Sequence, residues 1–496
     1  MNEALSKHHF QVLVLGRGPG AAACAAILAK SGLRTGLAQS RRHAFGDMGK
    51  SMPARPLFAP QADGYPGLSR ILYELGLQQE YAEALFEPDP IMQFIGPGFR
   101  IDLKHSRAAT IDELEREIRG DSSKLYQRLL QAAQDTCTSL DTLLDATKPY
   151  PPLGFFEKLA VKKITRDTPW HKDRTRPLEN PLRLFKDDSV LRAISLSVPA
   201  FSGAMNADCS FEAGTLARSL GWLSRGVYDL DGKEKKLTSM FTAKLKSKGG
   251  TILHGKVNRI EMSRARPAIA RCDNGVEINF DILVLADHPA YLQRVLTSTS
   301  ANRRLSKILE GCSAGTWLGG TKMTVALECV PEPLAQRAFI INDPSVPLCG
   351  GNMILVDIKR GQRKAGYEKH GKKTKDDVAE LNAFAIFSKQ NTPESPASLE
   401  QIVRERLKLL FPFLDEHLKS SQVIEPGDYA SPAHLEALSP MQTIPFKPVI
   451  PIKGPFNNTF FLHPWTIPGL GLESEMLLAL RIAQIVLKKL GKSPKR

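Results

Sequence analysis

"VLVLGRGPGAAACAAILAKSGLRTGLAQS", residues 12–40, decides the fold. Its first apolar run, Phe10 to Leu15 with Gln11 as the one polar residue, reads as a buried strand. The turn Gly16-Arg17-Gly18-Pro19-Gly20-Ala21 follows. Ala21 to Lys30 is rich in Ala and Leu and so favours helix, and Ser31-Gly32 supplies the stop. Arg34 to Gln39 is a weaker second strand that carries Gly36 in its interior. Strand, glycine turn, helix and strand in this order make a dinucleotide-binding unit.

Each small residue has a job in such a turn. Gly16 permits the tight exit from the strand, Gly18 lets a pyrophosphate approach the backbone beside Gly20, and Ala21 lets the helix pack close. The phosphate then faces the helix start, where free N–H groups and the helix dipole favour an anion. A carboxylate normally closes the second strand and accepts the ribose hydroxyls. Here Gln39 stands in its place, and loss of the charge-assisted bond costs on the order of 1 kcal/mol. Arg41 and Arg42 come next, as a phosphate contact or as surface charge.

The totals bound the rest. A chain of 496 residues is long enough for two domains, and 42% hydrophobic with 24% charged residues is the range of a folded soluble protein. A formal charge of +15 attracts anionic lipid, nucleic acid or an acidic partner, although a plain basic surface accounts for it equally well. The seven cysteines are scattered without a CxxC, which argues against a disulfide framework or zinc site and for a reducing compartment. The N-terminus lacks the features of a signal peptide, and no apolar run reaches the ~18 residues of a spanning helix. A cytoplasmic protein is expected, with any membrane contact peripheral. There is no GxSxG, GxxxxGK[ST] or HExxH, so neither a metal nor a nucleophile is nominated.

Along the chain, residues 50–225 are mostly helical in pattern. Examples are 68–77 and 110–118, where Thr110 and Glu113 have capping-box spacing. Residues 226–262 read as a turn, an amphipathic helix, Gly249-Gly250 and two short strands. A hairpin around Asn274-Gly275 leads into a buried strand, Ile282 to Leu285. Strands at 320–329, 351–358 and 379–387 suggest a second sheet. Two basic segments stand out: 158–176, which surrounds Trp170, and 359–375, with eight Lys or Arg against one Glu. The latter is expected to be a solvated loop.

These blocks in this order resemble the FAD-containing amine oxidase and phytoene (carotenoid) desaturase superfamily. The likeness covers residues 10–46, then 226–262 with Asp281-Ile282-Leu283-Val284, and finally 457–486, and IMQFIGPGFRIDL (91–103) is also similar to a desaturase stretch near the substrate. It implies that Val257 meets adenine through its backbone. It also implies that Leu472 and Glu473 N–H groups, after Gly471, face a flavin carbonyl. The departures are as specific. Where the family wraps the pyrophosphate with Gly-Gly-Arg, this chain has Phe45-Gly46-Asp47-Met48-Gly49-Lys50, and only Gly46 is in register. Where the family has Gly and an acid, this chain has His463-Pro464. Glu473 and Glu475 add negative charge nearby.

The expected architecture is α/β, a Rossmann-like FAD/NAD(P)-binding domain from residues 1–60, 226–300 and 445–496. A discontinuous α+β substrate domain is drawn from 61–225 and 301–444. The resemblance implies an FAD-dependent oxidoreductase that moves hydride between flavin and an apolar, isoprenoid or lipid-like substrate, with an amine substrate as a variant. Such enzymes draw substrate from membranes, which would give 158–176 and 359–375 an anionic surface to meet, each Lys or Arg contributing about 1 kcal/mol. No specific nucleic acid is expected, since no binding module is recognisable. The alternative is a non-catalytic binding or assembly protein that keeps the fold to hold a protein partner. Rab GDP-dissociation inhibitors resemble these flavoproteins without using the flavin, and fold alone does not choose.

Overall fold

The computed structural model describes residues 7–40 (save 17), 60–145 (save 62 and 119), 150–166, 188–201, 213–230 (save 224 and 226), 233–286 (save 264–265), 295–296, 299–309, 314–360 (save 333), 378–388, 391–423, 436–440 and 450–492 (save 468–469). In chain order the strands are β1 (Lys7–Gly16), β2 (Thr35–Ser40), β3 (Leu85–Phe86), β4 (Met92–Gly96), β5 (Phe99–Leu103), β6 (Asp229–Leu230), β7 (Thr251–Ser263) and β8 (Arg266–Cys272). They continue as β9 (Glu277–Ala286), β10 (Ala314–Ala326), β11 (Arg337–Ile341), β12 (Met353–Arg360), β13 (Val378–Ser388), β14 (Leu418–Val423), β15 (Glu436–Pro440) and β16 (Thr459–Phe461).

The first sheet has a parallel set in the order β7, β2, β1, β9, β16, with β8 pairing antiparallel to β7 and β9. β1 lies at its centre: Val12 is opposite Thr35 and Ile282, and Leu15 is opposite Ala38 and Leu285. Both faces of these central strands are covered, which is why Val12–Leu15 and Ile282–Leu285 are unbroken apolar runs. On one face lies the first helix (Pro19–Lys30), buried from Pro19 to Ala29. It packs against the helix Lys233–Ser247 and the C-terminal helix Leu472–Lys489, and its alanines leave room for both. This is a Rossmann-like unit with its glycine turn in the expected place.

The second sheet has eight strands, in the order β14, β10, β13, β12, β11, β4, β5, with β15 also on β10. Its pairings are antiparallel except β11 with β4. Alternate residues feed two cores. Phe339, Ile341, Leu355 and Phe384 point to the large core shared with the first helix. Ala338, Ile340, Val356 and Phe387 pack with Leu399, Val403 and Leu407 of the helix Pro396–Leu407. Behind the sheet, the buried Arg337 of β11 bonds Asp229 of the short strand β6 at 2.7 Å.

Several local expectations change. Ser106, not Thr110, caps the helix Arg107–Glu117, accepting from the Ala109 N–H at 3.4 Å. Thr110 is buried and bonds both backbone groups of Lys104 at 3.0 Å, so its hydroxyl ties down the preceding loop. Residues 251–263 form one long strand rather than two. Residues 92–103 form a hairpin, β4–β5, that joins the second sheet from within a helical region. Cys349 is disulfide-bonded, which scattered spacing does not foretell because pairing depends on tertiary approach. Cys24, Cys137, Cys272 and Cys329 are free. Trp170 and 361–375 lie outside the described residues, while residues 158–166 belong to the helix Phe155–Arg166. Among the described residues, no helix is long and apolar enough to cross a membrane, and no His, Cys, Asp or Glu group is placed to hold a metal.

Candidate functional site

β1 ends between β2 and β9, where the chain leaves toward opposite halves of the sheet. The carboxyl end of such a strand is where an open α/β sheet leaves a crevice for ligand. Gly16 is held there by close packing. A Cβ on it would lie 2.8 Å from the Ala286 carbonyl carbon at the end of β9, and its φ is 155°. Gly18 caps the first helix at φ 89°, ψ 176°, and among the described residues nothing lies within 4 Å of where its Cβ would be. Pro19 comes first in the helix and no side chain from its own N-cap position closes the end. The helix start therefore offers N–H donors to whatever anion comes near.

One anion already does. The Gly20 N–H donates to Glu475 Oε2 at 3.1 Å, although the two are 455 residues apart in the chain. A Cβ on Gly20 would lie 2.8 Å from both Cβ and Oε2 of Glu475, so this approach requires glycine. Ala21 is buried behind it, as helix packing demands. Glu475 stands in the first turn of the C-terminal helix, so two helix starts meet here.

Its neighbour Glu473 turns the other way. Glu473 is 1% exposed and is gripped by Arg218, whose Nε donates to Oε2 at 3.0 Å and whose Nη2 donates to Oε1. Arg218 Nη1 also donates to Asp141 and to the Cys137 carbonyl, and Arg225 Nη2 bonds Asp141 Oδ2 at 2.7 Å. Burial works against charge on Arg218, but Glu473 and the other partners outweigh it and hold the guanidinium firmly protonated. Burial, reinforced by Glu473, pushes the nearby Tyr65 phenol well above its ordinary value. The network clamps the C-terminal helix to the helices Ser122–Leu144 and Ala213–Leu223. The Glu473 N–H donates to the Leu470 carbonyl at 3.1 Å, and its carboxylate is internal.

Gly471 is the N-cap of the C-terminal helix at φ 52°, and Leu472, half-buried, is its first residue. Pro464 opens a short turn, Pro464–Thr466, whose carbonyl accepts from the Ser474 hydroxyl at 3.2 Å. His463 Nδ1 accepts the Trp465 N–H at 3.3 Å, and the two rings meet edge-on, 5.4 Å apart. Trp465 is buried with Ile450, Phe456 and Phe461, so it belongs to the core of this sheet. Val257 is fully buried in β7, opposite Ser40 of β2. Gln39 is placed by its backbone, opposite Lys256 and just after a bulge. Arg41, Gly46 and Met48 lie outside the described residues.

The fold thus gathers Gly16, Gly18, Gly20 and Ala21 at one helix start and brings Gly471, Leu472 and Glu473 to the next. Arg218 and Asp141 were not singled out from sequence. The available signal was one arginine inside the apolar run AGTLARSLGWL (213–223), where a charge needs a partner.

Against a dinucleotide, this frame fits in part. The space over Gly18, clear among the described residues, and the close packing of Gly16 and Ala21 suit a pyrophosphate, while the Gly20 donor is met by the chain's own carboxylate.

No family model matches the chain, and no curated protein matches it either. Solved structures do. A putrescine oxidase triple mutant with redesigned cofactor binding shares 15% identity, at TM-score 0.56 over 98% of this chain and 100% of the other. An oxidoreductase from Methanosarcina mazei shares 13% at TM-score 0.53, over 96% and 99%. Cyclohexylamine oxidase from Brevibacterium oxydans shares 12% at TM-score 0.50, over 97% and 100%. At such identities the likeness speaks for architecture alone: this chain shares the fold of these oxidoreductases.

Proposed function

We propose that the protein is an FAD-dependent oxidoreductase of the amine oxidase and desaturase type, acting on an apolar, lipid-like substrate. The observation that carries it is the glycine turn at the carboxyl end of β1, open over Gly18 among the described residues, in a chain that shares the full length of the oxidase fold. FAD, when bound, supplies the capacity to accept two electrons from a C–H bond. The chain's own part is to hold and to exclude. Gly16, Gly18 and Ala21 shape the bed for the adenosine diphosphate half, and Val257 presents backbone at the edge of that bed. The Arg218–Glu473 clamp fixes the first turn of the C-terminal helix, and the apolar packing around it keeps water out.

The apolar substrate is supported by a surface feature. The helix Phe155–Arg166 exposes Phe155 and Phe156, at 71% and 82%, together with Leu159, and Lys158, Lys162 and Lys163 lie on the same exposed arc. Aromatic and aliphatic groups flanked by lysines suit the interface of an anionic membrane.

The test is the visible absorption spectrum of the purified protein, followed by chromatography of whatever heat releases. Stoichiometric FAD is the expected result, with binding of added FAD if the protein is isolated empty. A colourless protein that takes up no FAD overturns the assignment. It would favour a non-catalytic scaffold, the function to which the Gly20–Glu475 contact lends weight, since it supplies from within the anion that the helix start would otherwise seek.

A further inference from the structure

We infer that Glu475 is the residue that sets dinucleotide affinity, because its carboxylate holds the phosphate-facing donor of the first helix in place of the cofactor. The inference rests on the FAD assignment above. Three observations meet at one point. The Gly20 N–H donates to Glu475 Oε2 at 3.1 Å. The position lacks a Cβ, and a built one would strike Glu475 at 2.8 Å, so only glycine allows this approach. Next door, Glu473 is locked on Arg218, which fixes the turn from which Glu475 reaches across.

A pyrophosphate seated on this helix start brings negative charge to the place where a carboxylate already stands. Two anions cannot share one N–H donor without repulsion in a partly buried setting. Either the phosphate binds with that donor missing, or Glu475 must swing away and lose its bond. Both outcomes weaken binding. Replacing Gln39 by an acid leaves this contest untouched, so Gln39 and Glu475 act on opposite ends of the adenosine diphosphate.

The experiment is a titration of apo protein with FAD, and separately with ADP, followed by flavin fluorescence quenching and by calorimetry. Wild type is compared with Glu475→Gln and Glu475→Ala. The glutamine keeps an acceptor for the Gly20 N–H without the charge, and thermal melting of each unliganded variant checks that it is folded. FAD and ADP are expected to bind at least about tenfold tighter to Glu475→Gln, a change of about 1.4 kcal/mol. Affinities within twofold of wild type in both variants overturn the role of Glu475 and leave the FAD assignment standing. Failure of all three folded proteins to bind either ligand overturns both. Tighter binding of FAD without any change for ADP also overturns the proposal, because it places the effect away from the phosphates.

Discussion

At the scale of single residues, buried charge is the dominant feature. Arg218 faces Glu473 on one side and Asp141 on the other, and removing it leaves the buried Glu473 carboxylate unpaired while Asp141 keeps Arg225. Arg218→Met is expected to destabilise the fold by about 3–5 kcal/mol, read as a lower urea midpoint. The double change Arg218→Met with Glu473→Leu is expected to cost less than the single one, since it leaves one charge fewer unpaired. Thiol chemistry offers a second check. Burial pushes the Cys24 thiol up to about 12 and Cys272 to about 11, so both are neutral at pH 8. Burial raises the Cys329 thiol as well, but it is only partly buried, so Ellman's reagent at pH 8 should find it before Cys24 and Cys272 in the native protein. Rapid labelling of Cys24 would contradict the packing of the first helix.

At the scale of elements, the decisive ones are the glycine turn and the helix that displays Phe155 and Phe156. Gly16→Ala places a Cβ against the backbone of Ala286, and a loss of about 1–3 kcal/mol is expected from thermal or urea melts. The displayed helix is tied down by Glu157, whose Oε2 accepts from the Leu153 N–H at 2.7 Å and from Arg481 Nη2 at 2.6 Å. Burial raises the Glu157 pKa, but these bonds outweigh it and the net shift is downward. A carboxyl depressed in the folded state stabilises above its unfolded value and loses that contribution as pH falls through the folded one. The tie is thus expected to hold at neutral pH and to loosen only in acid, as pH falls through the depressed carboxyl range, with Glu157→Gln abolishing that step in proteolysis of the 150–166 segment. This element was half legible. The lysines were evident in the sequence, whereas the outward direction of Phe155 and Phe156 depends on which arc of the helix Glu157 binds to its neighbours.

At the scale of the whole molecule, two sheets and a formal charge of +15 set the behaviour. If the displayed helix meets anionic lipid, co-sedimentation with phosphatidylserine vesicles should be strong at low salt and fall steeply by about 0.5 M, because exposed charges are screened beyond a few ångströms there. Phe155→Ser with Phe156→Ser should weaken the salt-resistant part, while Lys162→Glu with Lys163→Glu should weaken the salt-sensitive part. Binding that is indifferent to all four changes would assign the charge to general surface.

What the sequence by itself determined is the local grammar of the first sheet. A covered parallel strand must be apolar throughout, a tight exit must be glycine, and a helix packed on three sides must be small, so residues 10–39 and 282–285 announce their places. Of the second sheet, β10, β12 and β13 were visible for the same reason, since strands with a core on each face have no polar side, although β10 ends at Ala326 and 327–329 is a 3-10 turn; β11, β14 and β15 were not read. The helix cap at Ser106 and the hairpin at 92–103 were not, because Thr110 had a loop to bond and β4 a distant neighbour in β11. Tertiary structure alone decided the site. Nothing in the spacing of Gly20 and Glu475, 455 residues apart, says that one donates to the other. Nor does any pattern choose Arg218 for Glu473. Such pairs form because buried donors and charges must find partners, and the fold, not the neighbourhood in sequence, determines which partners are within reach.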